Sequence, residues 1–121
     1  FTLGYPLALS GMGTELKFTD GKISSRTGYN NSVNSFQTTI PVQPGNSGSP
    51  VFNDKGELIG LINAKVMPAD NVSYAIKLSY LRNLIEIIPD CSEPEIRLPE
   101  GLTQTEKIQL LSDYVVLIKI K

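Results

Sequence analysis

The 121-residue sequence predicts an all-β domain, and three observations carry that expectation. Runs rich in Val, Ile, Leu, Phe and Tyr recur at residues 1–5, 15–19, 22–26, 36–42, 49–53, 57–66, 72–76 and 114–120. Gly, Pro, Asn and Asp punctuate nearly every boundary between them. Helical spacing of apolar residues occurs in only two short segments, both late in the chain.

Residues 1–5 read as a strand that Gly4 and Pro6 stop, and 7–13 as a loop of small residues. Residues 15–19 and 22–26 alternate apolar and polar, with Leu16, Phe18 and Ile23 on the apolar faces. Between them, Asp20-Gly21 has the chemistry of a two-residue type I′ hairpin turn. Residues 27–35 are rich in Asn and Ser and read as a loop. Asp54-Lys55-Gly56 joins the strands 49–53 and 57–66 as a hairpin, and the second is nearly continuous apolar, as a strand buried on both faces is. A loop at 67–71 leads to the strand 72–76. Ser79 has the chemistry of a helix N-cap, Leu81, Leu84, Ile85 and Ile88 fall on one helical face, and Pro89 stops the helix. Residues 90–101, with three prolines, read as a linker. Thr103-Gln104-Thr105-Glu106 has capping-box spacing, with Ile108 and Leu111 on one face of the helix it opens. Residues 114–120 form a final strand that needs a neighbour to pair with.

Composition excludes several function classes. A formal net charge of −1 gives no electrostatic reason to expect nucleic acid as a partner. No apolar run approaches the roughly 20 residues of a membrane-spanning helix. One cysteine, Cys91, forms no internal disulfide, and with no histidine and no carboxylate cluster at ligand spacing neither a metal site nor a cofactor is expected. Cys91 lies in a polar loop without an apparent base and reads as a bystander thiol.

One stretch carries chemistry: Gln43-Pro44-Gly45-Asn46-Ser47-Gly48-Ser49-Pro50. Gly45 and Gly48 reach backbone angles that other residues adopt only with strain, and the two prolines remove donors at its entrance and exit. Such a loop can lift the Ser47 hydroxyl into solvent and leave nearby N–H groups free for a developing oxyanion, the geometry that acyl transfer needs. The same residue types also make ordinary tight turns.

Residues 36–50 resemble the nucleophile segment of trypsin-like serine proteases, especially their HtrA-type bacterial branch. Gly45-Asn46-Ser47-Gly48-Ser49, Gly56-Glu57-Leu58-Ile59-Gly60 and Tyr74-Ala75-Ile76 follow that branch's order, and Gly4-Tyr5-Pro6 stands where it has a Gly-x-Pro turn. The resemblance covers about residues 1–89 and implies the second, C-terminal, six-stranded Greek-key β-barrel of that fold, closed by a C-terminal helix. Residues 90–121 then form a linker, short helix and strand of unassigned role. The resemblance also opposes the local hairpin reading at Asp20-Gly21. It implies one kinked strand through both runs, with Gly21 as a bulge.

By resemblance, Ser47 is the nucleophile, and the N–H groups of Gly45 and Ser47 form the oxyanion hole. Asn63, Ala64 and Lys65 align with the strand that pairs with substrate backbone, and Ser73 and Ala75 with the wall and floor of the specificity pocket; barrel packing explains these five equally well. No carboxylate sits at the aligned pocket positions, which points away from Lys or Arg and toward a small or medium apolar residue. Asn46 replaces the Asp that pairs with a new N-terminus in zymogen-activated enzymes, and Ser49 replaces a Gly. The chain has no histidine, so the His and Asp of the triad are expected in a first barrel outside it. A Ser–Lys pair using Lys65 or Lys77 would need a lysine desolvated enough to be neutral near pH 7. The expected partners are a protein or peptide substrate and the missing first barrel, with self-association through the face that barrel would cover. The resemblance alone favours a bacterial periplasm or cell envelope. A second reading is a non-catalytic pseudoprotease that holds extended peptides by strand addition.

Overall fold

The computed structural model describes residues 1–6, 13–63, 72–91 and 98–118. Seven short strands, β1 (Thr2–Gly4), β2 (Lys17–Thr19), β3 (Ile23–Ser25), β4 (Ser35–Thr38), β5 (Pro50–Phe52), β6 (Leu58–Ile62) and β7 (Ser73–Lys77), precede two helices, α1 (Leu78–Ile87) and α2 (Gln104–Ser112). The strands form one antiparallel sheet in the order β2-β1-β5-β6-β7-β4-β3.

That order resolves the Asp20-Gly21 conflict. β2 and β3 lie at opposite ends of the sheet and do not pair with each other. Only three residues join them, and four Cα steps reach at most about 15 Å. Seven strands laid flat at ~4.8 Å spacing would hold the two edges about 29 Å apart. The sheet must therefore curl until its edges meet, and the β2–β3 segment is one kinked strand that borders both β1 and β4. Counted this way the sheet is a six-stranded barrel. Lys22 holds the seam: its carbonyl accepts from the Thr39 amide at 2.9 Å, and its amide donates to Thr39 Oγ1 at 2.9 Å. Gly21 is where the backbones approach, since a Cβ there would lie 2.6 Å from the Ile40 nitrogen. The register shift itself falls between Ile23 and Ser25, two residues later than the expected bulge.

The other hairpin follows its local chemistry. Asn53 Oδ1 accepts from the amides of Lys55 and Glu57 at 3.0 and 2.9 Å, and Gly56 takes φ +79°. β7 runs directly into α1, so Lys77, still extended, occupies the N-cap position without a side-chain bond, and Ser79 lies inside the first turn rather than capping it. The apolar face of α1 is only partly covered: Leu81 and Ile85 are half-buried, while Leu84, Ile87 and Ile88 are exposed.

Two apolar clusters hold the molecule. Phe36, Ile40, Val51, Ile62 and Ala75 fill one; Leu3, Phe52, Leu111 and Val115 fill the other. Val51 and Phe52 are adjacent on β5 and belong to different clusters, so β5 is buried on both faces. The second face is covered by the C-terminal segment. α2 opens with the expected capping box, Thr103 Oγ1 accepting from the Glu106 amide at 3.2 Å and Glu106 Oε1 accepting from the Thr103 amide at 3.2 Å. The hydrogen bonds from Thr103 favour the charged carboxylate and hold the Glu106 pKa below its ordinary value. Leu98 lies against the bare Cα of Gly56, where any Cβ would overlap it, and Lys107 Nζ donates to the Asp54 carbonyl. Residues 115–118 form no strand. Their β-forming side chains bury Val115 instead of completing a ladder, because propensity yields where no sheet edge is presented. The expected loops at 7–12 and 67–71, linker residues 92–97 and the last residues of the expected strand, 119–120, lie outside the described residues.

Candidate active site

The 43–50 loop consists of two successive turns. The Asn46 amide donates to the Gln43 carbonyl and the Ser49 amide to the Asn46 carbonyl, each at 3.0 Å. Gly45 and Gly48 supply the left-handed angles these turns need, φ +98° and +85°. The exit is tied to β6, with the Gly48 amide donating to the Ile62 carbonyl and the Ile62 amide to the Ser49 carbonyl, both at 2.8 Å.

This leaves a distinct pattern of spent and unspent donors. The amides of residues 46, 48 and 49 are bonded; those of Gly45 and Ser47 have no partner among the described residues. The Asn46 side chain is buried at 2% exposure beneath the loop, while Ser47 faces solvent and its hydroxyl has no partner among the described residues. An exposed hydroxyl beside two unpaired amides is the arrangement that can present a nucleophile and receive an oxyanion.

Gly4, at the end of β1, seats the loop. A Cβ there would fall on Ser49 Oγ and 2.9 Å from Asn46 Oδ1, both on buried residues. Gly4→Ala is therefore expected to destabilise the protein by about 1–3 kcal/mol, typical of overpacking. By displacing the loop it should also slow reaction of Ser47 with a fluorophosphonate in the full-length protein, read by thermal melting and by the labelling rate. Unchanged values of both would contradict the seating role. In sequence Gly4 reads as a strand stop and as the first residue of a Gly-x-Pro turn; its role in seating the loop depends on a residue 45 positions away.

Ser47 opens onto a cleft of about 710 Å³ that is also lined by the segment Tyr114 to Ile118. Among the described residues, no His, Lys, Arg, Asp or Glu side chain lines it. The other expected site residues lie elsewhere. Ser73, on β7, is buried, sharing a 2.7 Å hydrogen bond with Thr38 Oγ1 and donating to the Ile40 carbonyl at 2.9 Å. Ala75 is fully buried in the first core cluster. Neither lines the cleft. Asn63, at the end of β6, is exposed and donates its amide to the Tyr74 carbonyl at 2.9 Å. Ala64 and Lys65 lie outside the described residues. Lys77, the other lysine weighed as a base, sits on β7 with its amide on the Asn34 carbonyl, and it too is absent from the cleft lining. No helix among the described residues is long and apolar enough to cross a membrane.

A family profile described as "Trypsin-like peptidase domain" matches residues 1–61. The chain is similar to "Uncharacterized protein y4bJ" of Sinorhizobium fredii, with 38% identity over 65 residues, 52% of this chain and 10% of that protein. It is similar to "Serine protease HtrA-like" of Staphylococcus aureus, with 38% identity over 60 residues, 48% of this chain and 8% of that protein. The chain thus spans about a tenth of the length of these relatives.

Proposed function

The chain belongs to the trypsin-like peptidase domain family, and on that premise we propose that it is the nucleophile-bearing part of a serine endopeptidase. The observation that carries the reading is the exposed Ser47 hydroxyl beside the unpaired amides of Gly45 and Ser47. In the proposed reaction Ser47 Oγ attacks a peptide carbonyl carbon and its proton passes to a base. The carbonyl oxygen becomes an oxyanion held by the two amides. The intermediate collapses as the C–N bond breaks and the amine leaves protonated. Water then hydrolyses the acyl ester on Ser47. Each oxyanion donor is typically worth about 2.7–4 kcal/mol of barrier, so the positive φ of Gly45 matters to the chemistry as well as to the fold.

The base and its orienting carboxylate are assigned to a first barrel outside this chain, because the chain has no histidine. We place that barrel against the exposed apolar face of α1; left bare, the same face would drive self-association of the isolated chain. Asn63, Ala64 and Lys65 are assigned to backbone pairing with substrate, and Ser73 and Ala75 to the specificity pocket. The hydrogen bonds of Ser73 and the burial of Ala75 favour support of that wall over direct contact with substrate. We divide the chain into the barrel, 1–89, and a C-terminal segment, 90–121.

The missing histidine also supports a second reading, a non-catalytic module that binds extended peptides by strand addition. Fluorophosphonate labelling separates the two. Labelling of Ser47 in the full-length protein but not in this chain is the expected result. Labelling of the isolated chain would instead indicate a base within it, and labelling of neither would support the binding module.

A further inference from the structure

The family match ends at residue 61, yet the cleft that carries Ser47 is closed by residues more than 50 positions further on. We propose that Tyr114, Val116 and Ile118 form a substrate-contacting wall that selects peptides with apolar side chains beside the scissile bond. This inference rests on the assignment of Ser47 as nucleophile.

The wall is held in place by its buried neighbours. Val115 is buried with Leu111 in the second core cluster, and Tyr5 Oη, itself part of the cleft, donates to the Val115 carbonyl at 3.4 Å. With Val115 turned inward, the residues on either side turn outward. Val116 and Ile118 are 70% and 79% exposed, and Tyr114 is exposed as well. Large apolar side chains left open at alternate positions beside a reactive hydroxyl are a surface suited to an occupant.

Three features specify that occupant. The cleft's volume of about 710 Å³ lies within the range of a site for several peptide residues. Among the described residues its lining has no charged side chain, so an acidic or basic substrate residue facing them would lose water without gaining a counter-charge. The backbone groups of Val116, Leu117 and Ile118 have no partner among the described residues, which leaves an open edge for an extended peptide to pair with. An extended, apolar peptide meets all three conditions.

The test uses the full-length protein and paired peptides that carry Leu or Glu at the residues flanking the cleaved bond. Rates are normalised to the fraction of Ser47 labelled by fluorophosphonate. Val116→Lys, and separately Ile118→Lys, should lower the Leu-over-Glu ratio of kcat/KM by about tenfold or more, the scale on which apolar pockets discriminate. Both side chains are exposed, so both variants should melt with the parent. Ratios within about twofold of the parent for both variants, with Ser47 still labelled, would overturn the wall and leave the nucleophile standing. A parent protein that neither labels nor cleaves would overturn the nucleophile, and the wall with it.

Discussion

Replacing Ser47 with alanine in the full-length protein is expected to abolish fluorophosphonate labelling and to lower peptide turnover by as much as about 10⁶-fold. That is the scale on which removal of a serine nucleophile acts where an oxyanion hole remains. The loop should survive the change. Ser47 is exposed, its side chain has no partner among the described residues, and the turns are closed by backbone bonds from Asn46, Gly48 and Ser49. Stability should therefore move by no more than about 0.5 kcal/mol. A large loss of turnover with the melting curve unmoved separates a chemical role from a structural one. Retention of more than about a tenth of the activity would show that another group carries the acyl transfer. A residue such as Ser49 could not substitute for it, being buried with its amide bonded to the Asn46 carbonyl and its carbonyl to the Ile62 amide of β6.

Where a feature depends on residues close in sequence, it was legible. The left-handed glycines of the 43–50 loop, the Asn53–Glu57 turn and the Thr103–Glu106 capping box each follow from side chains within a few positions of one another. Where two distant segments compete for one stretch, local chemistry misled. Asp20-Gly21 has good hairpin residues, but a tight turn would forfeit the pairing of Lys22 with Thr39 that closes the barrel. Ser79 has N-cap chemistry, but β7 leads straight into α1 and the helix begins two residues earlier than that cap would set, with Lys77 at the N-cap position. The strand expected at 114–120 is absent from 115–118 because no open sheet edge meets it. The site divides in the same way. Ser47 and Gly45 are defined by their own loop, whereas the wall beside them depends on how a helix some 60 residues later docks.

That docking hinges on Leu111, and Leu111→Ala is expected to cost about 2–5 kcal/mol, the range for truncating a buried leucine. A domain of this size is typically stable by about 5–15 kcal/mol, so the substitution removes a substantial share. Its neighbour supplies the control: Leu111 is 0% exposed and Leu110 is 47% exposed, on the same helix and with the same side chain. Leu110→Ala should cost within about 0.5 kcal/mol. The effect of Leu111→Ala should also be local before it is global. Leu111 packs with Leu3, Phe52 and Val115, and its Cδ1 lies 3.6 Å from where a Gly56 Cβ would stand, so its loss loosens the C-terminal segment from the outer face of β1 and β5. Hydrogen exchange in the full-length protein reads this directly: amides of α2 should exchange at least about 30-fold faster, the rate equivalent of 2 kcal/mol, while those pairing β4 with β7 change less. With the anchor gone, Val116 and Ile118 lose their fixed placement beside Ser47, and the proposed preference for apolar peptides should fall together with α2 protection. Equal slowing of all substrates, or protection unchanged across α2, would mean that the second core cluster does not hold this wall of the cleft.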